Sequence, residues 1–287
     1  MCEKELSAEE IKRNTLPLLR HAETIYVLMS ACTKMPYVVC DAETYDDEVL
    51  VFVNEQAAKQ EAVRLLQQGE PVQVVSVKNE SLLAFYISLL PIGANCLRVN
   101  KGTQIETVVQ LDELIRRPDG NHLPEGQIRI ENPELHLTAL YFAQEFRKKR
   151  EGGITEELKE LNEEMLAHFR RGKYIVAVQK EGQQIPILRE KDGQMYQPLF
   201  TDIQEFNKFN KEKNLKAAII EFSNLPKFLA PEAKGVIINP NAVNIKLDMA
   251  RPKQPSEEQN QAQETEKKQA EVKQKEWAVN QDAVENR

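Results

Sequence analysis

One order of sequence signals occurs twice along this chain, and that recurrence restricts its fold more than any other feature. In the first run, an amphipathic segment opened by Ser7 leads to the apolar stretch Tyr26–Met29. Val49–Val53 follows, closed by Asn54, then a helix-periodic run from Glu55 to Gln68 and a β-rich stretch at Val72–Val77. In the second, Thr155–Arg170 leads to Tyr174–Val178, then to Tyr196–Phe200 closed by Thr201 and Asp202, an amphipathic run to Asn214, and Ala217–Phe222. Setting Tyr26 on Tyr174 places Phe52 on Phe200 and Asn54 on Asp202 without a gap. The later parts match after a deletion, with Val99-Asn100 on Ile238-Asn239. Strand ends and helix caps coincide here, so a diverged tandem duplication is the economical account; the alternative is two mixed domains that share common β-α punctuation.

The boundaries have chemical reasons. Asn54, and Thr201 or Asp202, stand where a helix needs a side-chain oxygen for its first free N–H groups, with Gln204 or Glu205 following. Asn100-Lys101-Gly102 and Asn239-Pro240-Asn241 are turn sequences, since Asn and Gly tolerate positive φ and Pro presets its own. Pro17 is expected to bend or split the first helix. Arg116–Glu125 reads as a loop, and Asn132-Pro133-Glu134 starts a helix whose apolar stripe is Leu135, Ala139, Phe142 and Phe146. After Arg251, a Gln/Glu/Lys-rich tail has too few apolar residues to offset its ordering entropy; Trp277 within it reads as a stray apolar residue rather than a docking motif.

Side-chain chemistry argues against most catalytic classes. His21, His122, His136 and His168 lack metal-ligand spacing and read as surface or helix-flank residues, and Cys2, Cys32, Cys40 and Cys96 read as reduced, packed thiols. Asp41, Asp46, Asp47 and Glu48 read as a solvated turn without the pattern of a calcium loop. The net charge of −7 and a single short basic cluster, Arg147–Arg150, give no reason to bind nucleic acid. With 11 glycines and no phosphate-binding motif, no cofactor and no metal are expected. No window is long enough to span a membrane and the first residues are polar, so the expected location is the cytoplasm.

The block Tyr174–Val178, Ile185-Pro186, Tyr196-Gln-Pro-Leu-Phe-Thr-Asp202, Ala230-Pro231 and Gly235–Asn241 resembles the N-terminal domain of the SseB (enhanced serine sensitivity) family. The resemblance runs from about Thr155 to Asp248; the first run is similar more loosely, with Val51-Phe-Val-Asn54 in place of Leu-Phe-Thr-Asp and no proline after Asn100. It implies a mixed α+β domain in a cytoplasmic bacterial protein and names no reaction. The expected fold is therefore α+β: two tandem mixed-sheet domains with flanking helices, at residues 7–118 and 155–250. A linker at 119–154 carries the amphipathic helix, and a disordered polar tail occupies 251–287. The expected function is a non-enzymatic interaction or regulatory module with a protein partner. Contact is expected at the strand end Phe200, Thr201 and Asp202, at the turn Asn239, Pro240 and Asn241, and along Leu135, Phe142 and Phe146. The alternative is a small-ligand sensor or enzyme with a pocket between the domains, at which Cys32, His21 or Asp202 would converge.

Overall fold

Both runs fold into mixed sheets with the same strand order. The computed structural model describes residues 7–116, 128–148, 154–181 and 184–250; the expected tail, most of the Arg116–Glu125 loop, His122 and part of the Arg147–Arg150 cluster lie outside them. The first run supplies β1 (Thr24–Ser30), β2 (Val38–Cys40), β3 (Asp47–Phe52), β4 (Val72–Lys78), β5 (Cys96–Val99) and β6 (Thr107–Gln110). They pair in the order β4-β1-β3-β5-β6, with β2 laid on β3. The second supplies β7 (Lys173–Gln179), β8 (Leu188–Arg189), β9 (Met195–Phe200), β10 (Leu215–Glu221), β11 (Gly235–Ile238) and β12 (Ile245–Asp248), ordered β10-β7-β9-β11-β12 with β8 on β9. In both sheets the parallel pair is the corresponding one, β3 with β5 and β9 with β11. The fold class is α+β, as expected.

Register corrects the gapless superposition at one point. Tyr26 faces Phe52 across β1 and β3, whereas Ile175 faces Phe200 across β7 and β9. Tyr26 therefore corresponds to Ile175, and Ile25 to Tyr174. Because strand side chains alternate between faces, this one-residue offset decides which of them enter the core. Ile25 and Tyr174 both do. Further along, the equivalences hold: Val51 pairs with Val99 and Leu199 with Ile238, and Asn100 and Asn239 follow in left-handed conformations, with φ of 54° and 44°.

Helix α1 (Ala8–His21) continues through Pro17 without splitting, capped by the reciprocal Ser7–Glu10 bonds. Helices α2 (Glu55–Gln67), α3 (Asn79–Leu89) and α4 (Leu111–Leu114) complete the first half. Then come α5 (Pro133–Arg147), α6 (Glu156–Phe169), α7 (Ile203–Phe209) and the short α8 (Leu225–Phe228). The run expected to stay helical to Asn214 stops at Phe209, because the Asn210 amide bonds both main-chain groups of Leu215 and turns the chain into β10.

Residues through Met249 form one unit around a continuous core. Ile25, Val27, Val49 and Val51 of the first sheet share a cluster with Tyr174, Val176, Leu199 and Val236 of the second and with Leu135, Ala139, Leu140 and Ala143 of α5. The opposite face of the first sheet is covered by Ala58, Ala62 and Leu65 of α2, and that of the second by Phe206 and Phe209 of α7. Helix α5 thus buries two adjacent ridges, 135-139-143 and 136-140-144, rather than the single stripe expected. Phe146 is left 61% exposed, stacked on Phe142. The acidic loop is not simply solvated either: Arg98 pairs with Asp41, Glu48 and Glu106, and Glu48 is buried. Cys96 is packed as expected, but Cys40 is exposed.

Candidate functional site

The polar chemistry of the core gathers where α5 crosses between the sheets. Asn132, just before α5, directs its amide nitrogen to the carbonyls of Lys173 and Thr201, at 2.7 Å each. That approach is open because residue 172 is glycine: a side chain there would collide with Tyr174 Oη and Asn132 Oδ1. One turn on, His136 Nδ1 lies 3.4 Å from Asp202 Oδ2 and 3.3 Å from Thr201 Oγ1. Thr201 donates its hydroxyl to Asp202 Oδ2 at 2.7 Å and accepts from Asn239 Nδ2 at 2.8 Å, while its N–H donates to Asn239 Oδ1. Asp202 Oδ1 accepts from the N–H groups of Gln204 and Glu205, making it the cap of α7.

The same helix holds the first half by other side chains. The Gln144 amide bonds both the N–H and the carbonyl of Val38, completing the outer edge of β2 as a further strand would. Tyr141 donates to Asp47 at 2.6 Å, and Lys148 pairs with Glu70. Arg147 reaches back to the carbonyl of Val243.

Electrostatics fix the state of the central pair. Burial works to raise the Asp202 pKa, but the hydrogen bond and charge of His136, the Thr201 hydroxyl and the Glu205 N–H outweigh it, leaving the carboxyl below its ordinary value. His136 faces Asp202 Oδ2 through Nδ1, which leaves Nε2 on the other side of the ring. Thr201 is fully buried and already donates to Asp202, so it is not placed as a nucleophile.

Of the residues expected at a contact surface, Phe200, Thr201, Asp202, Asn239 and Leu135 are buried. Pro240 and Phe142 are half-buried, and Asn241 and Phe146 are exposed. Pro240 and Asn241 border a depression shared with Cys32, away from Asp202. Neither Cys32 nor His21 lines the concavities that Asp202 lines.

Two concavities do reach Asp202. One lies between the halves, bordered by Met35 and Phe85. The other is an apolar trough of about 380 Å³ on the outer face of the second sheet, between β7, β10, the start of α7 and residues 128–131. Its walls include Ile128, Ile203 and Ile219, which are 70%, 48% and 48% exposed. Helix α7 has 7 residues against the 13 of α2 and packs Phe206 and Phe209 with Leu215 of β10; the trough opens beside its first turn, at Ile203 and Gln204. By register, Ser76 stands in the first sheet where Ile219 stands in the second.

Sequence reasoning missed His136 and Gln144, which it had no cause to separate from the solvent face of α5. Their signal is the spacing His136, Leu140, Gln144, a ridge beside the one that was read. Among the described residues no group of three metal-ligating side chains occurs, and no helix is long and apolar enough to cross a membrane.

The SseB protein N-terminal domain model matches residues 155–251, which span the second sheet and its helices. No curated protein matches the chain. Two solved structures are similar at low identity. Tic22 from Plasmodium falciparum is 11% identical with a TM-score of 0.20, the match covering 72% of this chain and 83% of that one. Anabaena Tic22, described as a protein-transport protein, is 10% identical with a TM-score of 0.20, covering 76% and 84%.

Proposed function

We propose that this chain is a non-enzymatic binding module built from two tandem SseB-type halves, and that it takes up an extended apolar segment of a partner protein on its second sheet. The observation that carries this reading is the trough at Ile128, Ile203 and Ile219, which runs beside β10. Among the described residues β10 pairs with β7 alone, so its outer edge offers main-chain donors and acceptors next to an apolar wall. An added strand bonds such an edge while its alternate side chains enter the adjoining pocket. The first half offers no matching apolar wall, because the exposed Ser76 stands where Ile219 stands in the second. The second half is also the part that the SseB domain model matches.

A photo-crosslinking residue at position 219, in cells that make the protein, is expected to yield protein adducts, and one at position 76 is not. Ile203→Asp should remove the adducts without lowering the unfolding temperature, since Ile203 is half exposed. Equal adducts from both positions, or adducts indifferent to Ile203→Asp, would sink the proposal.

A further inference from the structure

The second concavity, about 230 Å³, lies between the first half, α5 and α7. On the first half's side its wall is largely apolar, with Met35, Phe85 and Ile92 beside Ser88 and Lys34. The far wall carries His136, Asp202, Glu205 and Lys208. Two atoms there, His136 Nε2 and Glu205 Oε2, are buried without a hydrogen-bond partner among the described residues, and their side chains are 1% and 2% exposed. Their other polar atoms are engaged: His136 Nδ1 by Asp202, and Glu205 Oε1 by Lys208 Nζ at 2.5 Å. Buried polar atoms are almost always satisfied, so two left open on one cavity mark a place for a donor.

We propose that this cavity binds a small molecule with a primary ammonium group on an apolar body, its N–H groups donated to Glu205 Oε2 and His136 Nε2. An ammonium offers three donors and no acceptor, which suits the open carboxylate oxygen of Glu205 and, in the tautomer that gives Nδ1–H to Asp202, the Nε2 of His136. An anion there would face the open carboxylate oxygen of Glu205, which accepts and does not donate. The apolar wall, Met35, Phe85 and Ile92, takes the body. Lys34, which is exposed and also lines the cavity, offers a partner to the carboxylate of an amino acid. This site is separate from the trough and does not depend on it.

Calorimetric titration of the intact chain with n-butylamine and with norleucine tests it, with butyrate and 1-butanol as controls of the same body. Saturable one-site binding of at least one amine is expected, with none of the controls. Tighter norleucine identifies an amino acid, and tighter butylamine a simple amine. Glu205→Gln should weaken binding at least about tenfold. Ser88→Met, which fills the cavity from the apolar side without touching a buried charge, should abolish it at an unchanged unfolding temperature. No saturable amine binding, equal binding of butyrate, or full affinity in both variants would overturn the proposal.

Discussion

Asn239→Ala is expected to destabilise the protein by about 3–5 kcal/mol, read from the midpoint and slope of denaturant unfolding. Three costs combine at this buried position. Alanine pays for the left-handed φ of 44° that asparagine tolerates. The Thr201 N–H loses its acceptor, and the Thr201 hydroxyl loses the donor at 2.8 Å. Asn100 stands in the same place in the first half, with φ of 54° and its side-chain oxygen accepting from the Val53 N–H at 3.0 Å. Its side-chain nitrogen has no counterpart to the Thr201 bond, because position 53 is valine. Asn100→Ala should therefore cost less, about 2–3 kcal/mol. Equal losses would mean that the hydroxyl network around Asp202 adds nothing to stability.

Leu140→Ala is expected to cost about 3 kcal/mol and, more tellingly, to lower the protection of both sheets together. Leu140 is fully buried on α5, in the cluster that joins the inner faces of the two sheets. The polar links point the same way: Gln144 and Tyr141 tie α5 to β2 and β3, while Asn132 and His136 tie it to β7 and the start of α7. A hole at this place removes contacts from both halves. Hydrogen exchange of the slowest amides in β1 and β7 should show equal drops in opening free energy. A drop confined to one sheet would mean that the halves unfold independently and that α5 belongs to one of them.

Much of this arrangement is legible in the sequence, for identifiable reasons. Asn54 and Asp202 announce their helices because capping needs a short side-chain oxygen at a fixed place, and both do cap. Asn100 and Asn239 announce turns because few other residues accept positive φ. What could not be read is whatever depends on the partner of a face. The one-residue offset between Tyr26 and Tyr174 is invisible in β-rich stretches where both alternate faces are apolar; only pairing across the sheet shows which residue points inward. Helix α5 misleads for a related reason: periodicity identifies one apolar stripe, but a helix enclosed by two sheets also buries His136, Thr138 and Gln144, which look like solvent residues until their partners are known. Glu205 reads as a capping partner and turns out to be buried beside a cavity, and the acidic loop reads as solvated because Arg98 lies far away in sequence. The trough is a matter of difference between halves: Ile219 stands in the second sheet where Ser76 stands in the first, which only the pairing across each sheet shows.

The working surface assigned to β10 is tested most directly by hydrogen exchange on the intact chain, with and without an extended apolar peptide selected against it. Strand addition predicts new protection at the β10 amides that face away from β7, alternating along 217–221 beyond Leu215, whose N–H is already held by Asn210, with no change in β4. Protection that appears on β4 instead, or at neither edge while the peptide stays bound, would contradict it.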